Sequence, residues 1–87
     1  MIDMLKIDLG ITTNYYDVRL MQYLDTAEKM IRTEGININD TDAQDMQLIV
    51  SYAAWMWRKR DNMEGMPRML RYQLNNRLMS QKMKEVT

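Results

Sequence analysis

Three carboxylates, Asp40, Asp42 and Asp45, stand close together near the middle of the chain and are the first candidates for chemistry. Grouped carboxylates can act as general acid and base or hold a hard cation. They also precede an apolar run, and acidic residues stabilise the positive end of a helix. Because the EF-hand pattern is not matched, we interpret these acids as residues of a first helical turn and predict no metal site.

Nucleophilic catalysis lacks the partners that it needs. The chain contains no His and no Cys, so Ser51 and Ser80 have no imidazole to activate them, and thiolate chemistry is excluded. No glycine-rich phosphate-binding motif is present. We therefore predict no catalytic site, no cofactor and no enzymatic activity.

A basic triplet, Arg58, Lys59 and Arg60, follows Trp55 and Trp57 and is the candidate basic patch for nucleic acid. A helix-turn-helix reader would need a basic second helix with polar side chains that read bases. Here the tryptophans are on apolar faces, and cations are expected at the end of a helix. The net charge of zero also argues against a DNA-binding domain.

The apolar run from Met46 to Trp57 is the segment around which the other elements must be arranged. At about 100° per residue it is apolar on most of its circumference, so it needs cover on more than one side. That cover can come from the other helices or from another subunit. The run is too short for a membrane span, which needs about twenty apolar residues. Thr41 with Gln44 predicts a capping box at its start.

Two helices are predicted before this run, Met1 to Leu9 and Tyr15 to Glu34, ended by Gly10 and Gly35. The longer one has a stripe that we assign to the core: Tyr16, Leu20, Tyr23, Leu24, Ala27, Met30 and Ile31.

The connections are short. Ile36 to Asp40 has too few alternating residues for a strand, so we predict a loop that turns Ile36 and Ile38 inward. Residues 61–65, DNMEG, are predicted to be a turn, and Pro67 suits the start of the last helix. Residues 1–87 are therefore predicted to be a single all-α domain, a compact bundle of about four helices.

The last helix, Pro67 to about Lys84, carries two apolar stripes on roughly opposite sides. The leucine stripe, which is predicted to pack on the central helix, is Leu70, Leu74 and Leu78. The methionine stripe is Met69, Tyr72, Met79 and Met83. It has no obvious partner in so small a chain, and methionine-rich surfaces adapt to other proteins. The alternative is one wide core face with an exposed edge.

Charge is divided unevenly along the chain. Residues 1–50 hold four basic and nine acidic side chains, a net −5, whereas residues 51–87 hold eight basic and three acidic, a net +5. The two halves can neutralise each other within one fold, or the acidic side of one copy can meet the basic side of the next. Asp3 and Asp8 near the start do not fit a secretory leader, which predicts synthesis in the cytoplasm.

Three segments together resemble a known family: LKIDLGIT (5–12), YDVRLMQYLDTAEKMI (16–31) and YAAWMWRKRDNMEGMPRMLRYQLNNRLMSQKMKE (52–85). They are similar to the small head-tail connector proteins of tailed bacteriophages and prophages, the head-completion or adaptor family. The most characteristic part is WMWRKR leading into GMPRML.

The resemblance implies a helical protein that forms a homo-oligomeric ring, dodecameric in the virion, beneath the portal protein. Such a ring extends the channel through which DNA passes and meets the next connector or the tail-completion protein. It implies a structural virion protein at the head-tail junction, in the bacterial cytoplasm during assembly, with no membrane partner. On this basis we predict a subunit or portal interface at the methionine stripe with Arg68 and Arg71.

An alternative from a different class is a small cytoplasmic helical regulator that binds DNA or a protein partner. Duplex binding with a steep salt dependence would support the regulator. Ring assembly without DNA binding at low salt would favour the connector.

Overall fold

Four α-helices form where the sequence has helical periodicity. The computed structural model describes residues 1–60 and 65–86, with side chains through Lys84. No β-strand occurs among these residues, so the prediction of an all-α bundle of about four helices is confirmed. The predicted turn lies outside the described residues except for Gly65. The helices are α1 (Ile2–Leu9), α2 (Asp17–Thr33), α3 (Ala43–Lys59) and α4 (Arg68–Val86).

The two predicted glycine stops are confirmed. Gly10 has φ 71° and Gly35 has φ 93°, a left-handed conformation that side chains with a Cβ rarely adopt. The backbone N–H of Gly10 donates to the carbonyl oxygen of Ile7 at 3.2 Å, which closes the end of α1. Glycine at these positions lets the chain reverse direction between successive helices.

The predicted capping box at the start of α3 is wrong by one residue. Asp42 is the N-cap, and its side chain accepts hydrogen bonds from the backbone N–H groups of Gln44 and Asp45, at 2.9 and 3.0 Å. The Thr41 hydroxyl donates instead to Oδ1 of Asn39 at 2.7 Å. Asp42, and not Thr41, is therefore the side chain that accepts hydrogen bonds from the first turn of α3.

The chain's own helices cover α3, since α1, α2 and α4 all pack against it. The predicted need for cover on more than one side is thus confirmed, without another subunit. Trp57 is only 8% exposed, and Trp55 is half-buried. The rings of Tyr16 and Tyr23 meet Trp57 edge to face, with centroids 5.3 and 5.5 Å away. The buried apolar residues of α3 are Leu48, Ile49, Val50, Tyr52, Ala53, Ala54 and Trp57.

The stripe of α2 is narrower than predicted. Tyr16 is exposed as the N-cap residue ahead of the first turn of α2, and Met30 is exposed because it lies at one edge of the predicted arc. Its fully packed members are Leu20, Leu24, Ala27 and Ile31. After α2 the loop turns Ile36 and Ile38 into the core, as predicted.

Candidate functional site

The methionine stripe of α4 faces solvent along its whole length. Met69, Tyr72, Met79 and Met83 are 69, 63, 61 and 68% exposed. On the other side of the same helix, Leu70 and Leu74 are buried and Leu78 packs partly against the core. The prediction of two stripes, one packed and one open, is therefore confirmed. A row of large exposed apolar side chains is typical of a surface that contacts another protein.

An ion pair between the buried Asp45 and the half-buried Arg77 helps to fix the rotation of α4 on the bundle. Nε of Arg77 lies 2.7 Å from Oδ1 of Asp45, and Nη2 lies 3.1 Å from Oδ2. Nη2 also donates to the carbonyl oxygen of Asn37 at 2.8 Å. The backbone N–H of Asn39 donates to Oδ2 of Asp45 at 2.8 Å. The planar guanidinium thus joins α3, α4 and the connection between α2 and α3 at one point.

Gln81, one turn further along α4, strengthens this attachment. Its Nε2 donates to the carbonyl oxygen of Gly35 at 2.9 Å, and its Oε1 accepts from the backbone N–H of Asn37 at 2.6 Å. With Arg77 and Asp45 it forms what we call the polar clasp. Because the clasp lies on the side of α4 that faces the bundle, it helps to hold the methionine stripe outward.

The electrostatics of the clasp favour the charged forms of both partners. Hydrogen bonds from Arg77 hold the pKa of Asp45 below its usual 3.8, although burial by itself raises it. The same hydrogen bond raises the pKa of Arg77. Asp45 is therefore ionised in the folded protein at neutral pH, and its charge is matched inside the chain.

The two arginines predicted for the interface differ in their contacts. Arg71 forms an ion pair with Glu34, with Nη1 2.7 Å from Oε1, and this contact raises its pKa. Arg71 thus links α4 to the end of α2 within one chain. Arg68 has no ion pair among the described residues and is exposed beside Met69. Of the two, Arg68 is the one whose side chain is open to a partner.

The basic triplet has roles within the fold. Arg58 lies 3.3 Å from the carboxylate of Asp8 and donates to the Asp8 carbonyl oxygen at 3.0 Å. Nζ of Lys59 lies 4.3 Å from the centroid of the Trp55 ring. The guanidinium of Arg60 lies 3.9 Å from the Trp57 ring and donates to the Trp57 carbonyl oxygen at 2.6 Å. These contacts fit the helix-end interpretation of the triplet.

Ion pairs join the acidic first half of the chain to the basic second half, so that part of the charge of each half is neutralised within the fold. Asp8, Glu34 and Asp45 from the acidic half meet Arg58, Arg71 and Arg77 from the basic half, respectively. The interpretation in which the halves neutralise each other inside one fold therefore has direct support.

The candidate carboxylates do not gather into one site. Asp42 caps α3, Asp45 belongs to the polar clasp, and Asp40 is exposed. No group of three or more acidic side chains that could hold a metal ion exists in the described part of the chain. Ser51 accepts a hydrogen bond from Gln47, and Ser80 lines a groove of about 420 Å³ between α3 and α4.

A second exposed apolar patch lies around the start of α2. Tyr15, Val18 and Met21 are all largely exposed, and we call them the α2 patch. The ring of Tyr15 packs edge to face on Tyr16 at 4.9 Å. The sequence analysis did not predict this patch, because it assigned only the core-facing stripe of α2. Its signal was the pair Val18 and Met21, which lies off that stripe at helical spacing.

Asn76 was also missed, although it completes a regular pattern. Met69, Tyr72, Asn76, Met79 and Met83 follow one another at intervals of three, four, three and four residues, and all are exposed. This is the spacing of the contact positions in a coiled coil. We call these five residues the α4 seam.

Comparison with family models, curated proteins and solved structures finds no match for this chain. Among the described residues, no helix is both long enough and apolar enough to cross a membrane.

Proposed function

We propose that this chain is a structural adaptor of a tailed bacteriophage or prophage, which forms a ring between the portal and the tail and extends the DNA channel. The observation that carries the proposal is the methionine stripe, an apolar row on a helix that the bundle covers from one side only. The sequence resemblance to head-tail connectors supplies the viral context. An adaptor works by binding, so it needs surfaces that contact other copies of itself and the adjacent virion proteins.

A ring needs two unlike surfaces on each copy, because head-to-tail contacts close only when different patches meet. The methionine stripe and the α2 patch meet this requirement: they lie on different helices and differ in composition. Arg68 adds positive charge beside the stripe. We therefore assign the ring contact to the stripe of one copy and the α2 patch of the next.

The DNA-binding regulator receives less support from the side-chain contacts. Its basic triplet is used to cap α3, to pair with Asp8 and to cover the two tryptophans. A phosphate would have to compete with these intramolecular contacts. A regulator that binds a protein partner would use the same methionine stripe. The experiment must therefore distinguish the portal from another protein partner.

The experiment uses the full chain with its cognate portal, followed by light scattering and by counting of tailed particles. The stripe variant carries Met79→Gln and Met83→Gln, and the matched control carries Met30→Gln, an exposed methionine of α2 outside both patches. We expect the wild type and control to add a ring to the portal, and the stripe variant to add none while keeping its helical circular dichroism. Charge reversal by Arg68→Glu should weaken the ring more than Arg71→Glu, which acts on an intramolecular pair.

If the stripe variant still adds a ring to the portal and joins tails normally, α4 does not form the interface. A chain that ignores the portal and binds duplex DNA with a steep salt dependence would instead establish the regulator.

A further inference from the structure

The α4 seam has the residue types that two identical helices use to pair. In the heptad notation, Met69, Asn76 and Met83 occupy a positions, and Tyr72 and Met79 occupy d positions. A single Asn at an a position reduces the stability of a coiled coil but specifies its register and the number of helices. Here the Asn is at the centre of the seam, with two apolar seam residues on either side.

The seam is oriented so that a second bundle can approach it. At 3.6 residues per turn, its centre lies about 180° around α4 from the leucine stripe. Arg77 and Arg71, which attach α4 to the bundle, flank the leucine side and not the seam. A twofold axis running along the seam would thus leave the two bundles on opposite outer sides, with two α4 helices between them.

We propose that the occupant of the seam is α4 of a second copy, packed in parallel as a short coiled coil with the two Asn76 side chains facing each other. The residues at the flanking e and g positions favour the parallel arrangement over the antiparallel one: they include two cations and no acid, and are Arg68, Gln73, Asn75, Ser80 and Lys82. In a parallel pair, Arg68 faces Gln73 of the second copy. In an antiparallel pair, Arg68 would face Lys82, and like charges would repel.

The length of the seam sets the strength of the pairing. From Met69 to Met83 it covers two heptads, about 21 Å of helix. Isolated helices of this length are marginal, but the polar clasp and the leucine stripe already hold α4 in its helical form. The contact is small beside standard protein interfaces, so the dimer forms reversibly and depends on concentration.

The pairing itself does not depend on the proposed function, whereas its biological role rests on it. A ring that surrounds a channel by head-to-tail contacts uses the stripe differently from a twofold pair. The free protein is then a dimer in which α4 of the second copy covers the methionine stripe. When the chain meets the portal, the α4 pairing is replaced by the ring contact between the stripe and the α2 patch.

Single cysteines test the pairing directly, because the chain has no cysteine of its own. The variants are Met69→Cys, Asn76→Cys and Met83→Cys, with Thr26→Cys on the exposed surface of α2 as the matched control. Each variant is oxidised by itself and run on a non-reducing gel. A parallel seam predicts that all three seam variants form a covalent dimer, twice the 10.5 kDa of the chain, and that the control does not.

Other outcomes overturn the proposal. If no seam variant links to itself, but Met69→Cys links to Met79→Cys in a mixture, the pair is antiparallel, because a positions then face d positions of the partner. If no variant links above the control, there is no twofold seam. That last result leaves the proposed function intact if the portal still acquires a ring. Conversely, a linked dimer with a chain that never joins a portal refutes the adaptor and keeps the seam.

The substitution Asn76→Leu gives an independent readout. Light scattering of the wild type should rise with concentration from the mass of one chain towards that of two. Removing the polar a position should strengthen association and allow masses above a dimer, because the residue that fixes the number of helices is gone. A wild type that stays monomeric at the highest concentration it reaches overturns the pairing.

Discussion

α3 and α4 are of similar length, 17 and 19 residues, and both carry apolar side chains on more than one side, yet the fold treats them differently. α3 packs against the three other helices and buries both its main face and its back. α4 buries its leucine stripe and leaves its methionine stripe in water. An apolar face is therefore covered only where the chain has another element to lay on it.

The difference also separates two kinds of contact. The covered side of α4 has branched leucines and the polar clasp, which together fix one geometry. The open side has three methionines and a tyrosine, which are flexible or amphipathic. The first set is suited to a single permanent packing, and the second to partners that exchange.

The largest test of this comparison replaces one residue on each side of α4. Leu74→Ala should lower the free energy of unfolding by about 3 kcal/mol, because the side chain is 1% exposed and a cavity remains. Met79→Ala should change it by less than about 0.5 kcal/mol, since the side chain is mostly in water. Urea denaturation of both variants gives the two values. Equal losses would show that the methionine side is packed in solution.

The polar clasp provides the next test, through acid denaturation. Asp45→Asn should cost about 2 to 3 kcal/mol at neutral pH, because it leaves the Arg77 charge without its carboxylate. Since the pKa of Asp45 is lower in the fold than its usual 3.8, its contribution is complete above that pH. This stabilising contribution is lost as the pH falls through the lowered pKa that Asp45 has in the folded protein.

The measurement is thermal stability between neutral pH and pH 2, with the exposed Asp40→Asn as the control. Wild type and control should lose stability at low pH with a similar slope, whereas Asp45→Asn should have a smaller slope. An unchanged slope in Asp45→Asn would assign acid sensitivity to other carboxylates.

The sequence was sufficient for the helices and for the side of α4 that lacks cover. Hydrophobic periodicity depends on local spacing, so the stripes of α3 and α4 and the inward turn of Ile36 and Ile38 could be predicted. Glycine stops depend on one residue each, and Gly10 and Gly35 were sufficient to identify them.

Contacts between residues distant in sequence could not be predicted in the same way. Asp45 and Arg77 are 32 residues apart, and Asp45 looked like an ordinary first-turn acid until α4 was placed beside it. Arg71 likewise looked free for a partner, although Glu34 lies 37 residues earlier and pairs with it. Net charge by half predicted attraction between the halves, but not which charges would meet.

The smallest expected effect concerns the start of α3, where the sequence offered Thr41 and the fold uses Asp42. Asp42→Ala should lower the free energy of unfolding by about 1 kcal/mol, because two N–H groups of the first turn lose their acceptor. Thr41→Ala should cost less than about 0.5 kcal/mol, since its hydroxyl bonds only to Asn39. Chemical denaturation separates the two, and a larger loss in Thr41→Ala would restore the capping box.

Neither substitution touches the open side of α4, so linking of Asn76→Cys in the Asp42→Ala background should be unchanged while the protein remains folded. A cap that weakened both α3 and the seam would mean that the covered and open sides of the molecule are not independent.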